Sequence, residues 1–193
     1  MILPGMTPTT VDAPIVVAGA NAGFTSELAG GGQVTETMFR LRVEELEETL
    51  KPGAEVVFNS LFLDPYLWGL HIGKTGLVQK LKKEGAPIKG VTISAGLPEV
   101  DEATALLDEL EAIGIWHNAF KPGNVAQVKH VCKIAAANPE KTIYVHVEGG
   151  KAGGHHSWED LDELLLDTYH LLRDQRNVVL CVGGGIATEE RGA

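Results

Sequence analysis

Two hydrophobic periods alternate along this chain. Short β-branched and apolar runs are separated by longer stretches whose apolar residues recur every three or four positions. In the clearest of the longer stretches, Phe39, Val43, Leu46 and Leu50 fall at i, i+4, i+7 and i+11. They share one face of a helix predicted over 36–50 and ended by Pro52 and Gly53. The same reasoning predicts helices over 12–22, 72–84, 101–113, 124–137 and 158–173. Ala103, Leu106, Leu107, Leu110 and Ile113 form the stripe of one; Val125, Val128, Val131, Cys132 and Ala135 form that of the next. Strand-like runs fill 1–3, 23–29, 55–61, 88–94, 115–120, 142–147 and 177–182. Strict alternation of the two kinds predicts an α/β fold on a parallel sheet of about seven strands.

The 23 glycines cluster where strands hand over to helices: at 30–32, at Gly149 and Gly150, at Gly153 and Gly154, and at Gly183, Gly184 and Gly185. In parallel α/β folds that rim is the ligand-binding side. Glycine there lets backbone N–H groups approach an anion. Tight βα turns alone would also use glycine, but four clusters on one rim favour a ligand. None is GxGxxG after the first strand and none is GxxxxGK[ST], which weighs against dinucleotide-fold and P-loop readings.

Composition narrows the class. The chain has 193 residues, 44% hydrophobic and 22% charged, as expected of a globular domain. With 16 Lys+Arg against 26 Asp+Glu its net charge is −10, which disfavours nucleic acid and anionic membrane surfaces as partners. No apolar run approaches the roughly 18 residues of a membrane span, and the first residues lack a signal-peptide pattern. Cys132 and Cys181 lie in apolar segments and are expected to be buried, reduced thiols, which points to the cytoplasm. No Cys/His spacing resembles a zinc site.

Residues 148–160, EGGKAGGHHSWED, carry the candidate chemistry. Ser157 is the expected N-cap of the following helix, with Asp160 in the capping-box position. Glu159 and Asp160 suit the positive helix end, whose field disfavours an imidazolium. A neutral His155 or His156 there can donate one hydrogen bond or relay one proton. The other histidines have no comparable setting. His130 and His170 lie on helices, and the direction of His146 is open.

At this segment GGKAGGHHSWEDLD resembles the flavin-site motif of the enoyl reductase domain of bacterial and fungal type I fatty acid synthases. PGMTPTTV, NAGFTSELAGGG, GVTISAGLPEVDEA, FKPGNV and LCVGGGI resemble further segments of that domain, in order along nearly the whole chain. The bacterial multifunctional synthase is the closer likeness, in SWEDLD and AGGGQVTE. The resemblance implies a (β/α)8 TIM-type barrel that binds FMN and is related to nitronate monooxygenases. It implies that NADPH reduces the flavin, which passes hydride to the β-carbon of a trans-2-enoyl thioester on acyl carrier protein. It maps the catalytic histidine onto His155, with His156 second. It places Gly5, Met6, Thr7, Asn59, Lys121, Gly149, Gly150, Gly153 and Gly154 at the cofactor, and Gly183, Gly184 and Gly185 in half of a phosphate cradle. It expects Arg where this chain has Lys151, an exchange that keeps charge but loses the planar fork.

A barrel of this type takes about 250 residues. The chain is therefore expected to be one part of a longer, homo-oligomeric synthase, with its last βα unit missing. A nitronate-oxidising flavoprotein and a non-catalytic truncated barrel are the alternatives.

Overall fold

The fold is described from a computed structural model, for residues 1–154 and 156–186. Seven strands form one sheet in chain order: β1 (Ile2–Leu3), β2 (Thr25–Ala29), β3 (Val56–Leu61), β4 (Ile88–Ser94), β5 (His117–Phe120), β6 (Ile143–Glu148) and β7 (Val178–Gly183). Every adjacent pair is parallel. The helices between them are α1 (Ala13–Asn21), α2 (Glu36–Thr49), α3 (Pro65–His71), α4 (Leu77–Glu84), α5 (Val100–Ala112), α6 (Val125–Ala137) and α7 (Leu161–Leu172).

One face of each strand packs on the helices. Phe58 of β3 stacks on Phe39 of α2 with ring centroids 4.6 Å apart, and His71 of α3 meets both rings edge-on. Phe39, Val43 and Leu46 are fully buried or nearly so, as their helical spacing requires. Burial of each such side chain contributes about 1.5–3 kcal/mol. Val91 and Ile93 of β4, Phe120 of β5 and Val145 and Val147 of β6 complete this outer core.

The opposite face turns inward, and the sheet curls around it into a half-barrel. Glu27 of β2 bonds Thr92 of β4 and lies 3.6 Å from His146 of β6. In a flat sheet four strand spacings would hold β2 and β6 about 19 Å apart. The curl also brings Met1, Ile2 and Pro4 and the end of β7 to one cavity.

Four local expectations need correction. The helix expected over 72–84 is two helices, because Gly76 adopts a left-handed φ of 58° and caps a later start, while Asp64 and Pro65 start α3 upstream. The helix expected from Trp158 begins at Leu161. Its N-cap is Asp160, whose side chain accepts from Asp162 N–H, and Trp158 is 90% exposed. The strand expected over 23–29 starts at Thr25, after Gly23 turns the chain with φ 86°, and residues 30–32 form a 3₁₀ turn. The two cysteines are free but only half-buried, and burial pushes both thiols above the ordinary value.

Candidate functional site

The inward side chains near the strand ends are polar, and the fold stacks them into one cluster. Glu27 is fully buried. Its Oε2 accepts from Gly5 N–H at 2.6 Å and from Asn59 Nδ2 at 2.8 Å; its Oε1 accepts from Thr92 Oγ1 at 2.5 Å. Ser94 Oγ donates to Asn59 Oδ1 at 2.7 Å, so both ends of that amide are engaged and its orientation is fixed. A Cβ on Gly5 would lie 2.5 Å from Asn59 Cβ, so only glycine brings the β1 loop this close.

Lys121 leaves the end of β5 and Glu148 the end of β6, and their charges pair at 2.9 Å with both side chains largely buried. His146 stands between this pair and Glu27. Burial opposes the charge on Glu27, but His146, the Thr92 hydroxyl, Lys121 and the Asn59 amide outweigh it and hold the carboxyl below its ordinary range. Burial pushes the His146 ring below the ordinary histidine value; Glu27 and Glu148 pull it up, and Lys121 pushes it down. One layer deeper, His117 stacks on Tyr144 with centroids 3.7 Å apart. Its pKa falls to about 4, through burial and then the fields of His146 and Lys89.

Two cavities open over this cluster. The larger, about 610 Å³, runs along the β1 and β7 edges and is lined by Lys151, Ala152, Gly153, Gly183, Gly184 and Gly185 among others. Its size suits a cofactor-sized ligand. Gly184, at φ 89°, presents bare backbone where a Cβ would lie 2.9 Å from the Gly149 carbonyl oxygen. The smaller, about 290 Å³, sits on the rim between Leu63, Ala95, Pro122, His156 and Trp158, with Lys121 at its floor. His146 and Glu148 line both.

The structure thus gathers Gly5, Asn59 and Lys121 around one polar cluster. Met6 reaches the loop of Gly153 and Gly154, where a Cβ on Gly153 would meet its Sδ at 2.8 Å. Thr7 packs instead against Gly31. Gly149 is pressed against Leu161 and Gly150 against residues 157 and 158, so both support the loop from behind the larger cavity. His156 is exposed, with Nδ1 2.7 Å from the Gly154 carbonyl oxygen. His155 lies outside the described residues. Ser157 Oγ donates to Gly123 O at 2.6 Å and accepts from Glu159 N–H at 2.9 Å, tying the histidine loop to the β5–α6 loop.

Sequence reasoning missed Glu27, Thr92, Ser94, His146 and Glu148. The available signal was a polar residue at an alternate position of otherwise apolar strands, repeated from β2 to β6. Two further histidines have structural partners: His71 Nε2 lies 2.8 Å from Gln33 O, and His130 Nε2 lies 2.8 Å from Pro98 O.

Residues 142–193 match the family model described as fatty acid synthase subunit beta/Fas1-like, helical. The chain is 41% identical over 183 residues to the fatty acid synthase subunit beta of Schizosaccharomyces pombe, covering 94% of the chain and 8% of that protein. It is 39% identical over 164 residues to fatty acid synthase 2 of Mycosarcoma maydis, covering 85% and 4%. It is 32% identical over 192 residues to the fatty acid synthase subunit beta of Saccharomyces cerevisiae, covering 98% and 9%. The chain therefore spans less than a tenth of the length of these relatives.

Proposed function

We infer that this chain, similar over nearly its whole length to one stretch of fungal fatty acid synthase beta subunits, forms most of an FMN-binding enoyl reductase barrel. The activity would be NADPH-dependent reduction of trans-2-enoyl thioesters on acyl carrier protein. The supporting observation is the large cavity at the C-terminal ends of parallel strands, walled by glycine backbone and lined by Glu148, whose buried ion-pair partner Lys121 lines the smaller cavity beside it. That is a donor set and a volume that fit a flavin nucleotide.

FMN, when bound, supplies the hydride that it has taken from NADPH. The chain's own residues would bind and orient. Gly183, Gly184 and Gly185 offer N–H groups to an anionic group. Gly5 and Asn59 are held by Glu27 in the polar cluster beneath the cavities, where they fix the β1 loop and the end of β3. Lys121 would stabilise negative charge on a reduced ring or on the enolate that forms when hydride reaches the β-carbon. His155, by its place in the AGGH motif, would deliver the proton to the α-carbon. The other synthase domains and further copies of the chain are the expected partners, in the cytoplasm. No helix among the described residues is long and apolar enough to cross a membrane.

The test begins with FMN added to the purified chain, read by the spectrum of bound flavin. Turnover of crotonyl thioester with NADPH is then compared with turnover of a nitroalkane with oxygen. Enoyl reduction is expected. Turnover of the nitroalkane alone would overturn the reductase reading. His155→Ala is expected to abolish reduction and leave flavin binding intact; loss of both would assign that residue a structural role.

A further inference from the structure

His146 is absent from the residues that the resemblance implies, yet it holds the most exacting position in the site. The ring is 3% exposed, and its Nε2 has no hydrogen-bond partner among the described residues. It lines both cavities, so it stands in the wall between them. Its other nitrogen, Nδ1, faces Glu27 Oε1 at 3.6 Å. Glu27 already accepts three hydrogen bonds, which favours its anionic form. A carboxylate opposite Nδ1 selects the tautomer with the proton on Nδ1. Nε2 is then a bare lone pair.

We propose that His146 is a ligand-contacting residue of this site, its Nε2 accepting a hydrogen bond from an amide or imide N–H of a bound cofactor. The proposal rests on the reading that a flavin and a nicotinamide nucleotide are the ligands. Both carry the required donor, one as the ring imide and the other as the carboxamide. Burial disfavours the charged imidazole, in the direction already described. With no proton on Nε2, His146 positions a ligand and does not supply the proton for the α-carbon.

The experiment uses the 193-residue chain with ¹⁵N-labelled histidine, the His146 signals being assigned by their loss in His146→Asn. In the free chain Nδ1 is expected to carry the proton and Nε2 to be bare. Saturating FMN or NADP⁺, added separately, is expected to move the Nε2 resonance to that of a hydrogen-bonded acceptor, and the responding probe identifies the donor. His146→Gln, which can place an acceptor oxygen near Nε2, should bind that probe within about 3-fold of wild type, while His146→Asn, which cannot, should lose about 10-fold. A proton on Nε2 in the free chain, equal affinities of the two variants, or an Nε2 signal unmoved by bound FMN and bound NADP⁺ overturns the inference. FMN that binds without moving Nε2, with NADP⁺ equally silent, sinks the inference and leaves the flavin reading standing. NADP⁺ that moves Nε2 in a chain unable to bind FMN does the reverse. If neither binds, both fall.

Discussion

Glu27 shows how much one side chain can settle. It lies in the segment TSELA, where the alternation of Thr25, Glu27 and Ala29 against Ser26 and Leu28 reads as a strand with two faces. Nothing in that period says that the polar face closes on itself, since in a curled sheet both faces are buried. The residue-level chemistry was therefore only half legible. Glycine clusters and the histidine pair mark the rim, but the buried carboxylate that fixes Gly5 and Asn59 does not announce itself. Its removal is expected to be costly. Glu27→Gln removes the charge and puts an NH₂ either against the Gly5 and Asn59 donors or against Thr92 Oγ1, whose hydroxyl must then accept and give up its own acceptor. The expected loss is about 3 kcal/mol in urea unfolding. A loss under about 1 kcal/mol would show that the cluster is not held by this charge.

At the scale of elements, the sequence reads best where length and period agree. Strands β2 to β7 and helices α1, α2, α5 and α6 fall within a few residues of expectation, because each helix buries a continuous stripe and strands β2 to β6 each bury a continuous run. The failures have local causes. Helix α3 is only seven residues long, too short for a periodic signal, although Asp64 followed by Pro65 is an N-cap and first-turn pair that could have revealed it. Helix α7 starts later than expected because Ser157 and Asp160 are both good caps and Ser157 is engaged with Gly123. This choice is testable by stability. Asp160→Ala should cost about 1 kcal/mol by loss of the cap. Trp158→Ala, outside the helix and almost wholly exposed, should stay within about 0.5 kcal/mol of wild type. If Trp158→Ala proved the more damaging change, the helix would start earlier.

For the molecule as a whole, the parallel sheet of about seven strands was legible from the alternation alone, whereas its strand order and its curl were not. Curl gathers ionisable groups that are far apart in sequence, and it sets the response to acid. His117 has its pKa lowered from 6.5 to about 4 in the folded state, so between those values the unfolded chain binds the extra proton. Stability therefore falls as pH drops from about 6.5 to 4, by about 3 kcal/mol from this group. His146, also lowered, acts in the same sense. Glu27, a carboxyl held low, adds stability that is lost as the pH falls through its folded pKa. Urea midpoints measured from pH 7.5 to 4 should decline steadily. His117→Phe, which keeps the stack on Tyr144 but cannot titrate, should flatten the upper part of that decline. An unchanged slope would mean that His117 does not carry it.

Strand order also bears on how the chain assembles in time. Because each strand pairs with the next in sequence, the sheet can grow by one neighbour at a time with modest loop-closure cost. The Glu27 cluster cannot. Its hydrogen bonds bridge separations of 22, 32 and 65 residues, and its approach to His146 is longer still. It can close only after β1 through β6 have bent around it. In pulsed hydrogen exchange during refolding, the Gly5 amide should therefore become protected later than the amides between β3 and β4. Seen this way, the buried carboxylate is a clasp that shuts last, and the site does not exist until it has.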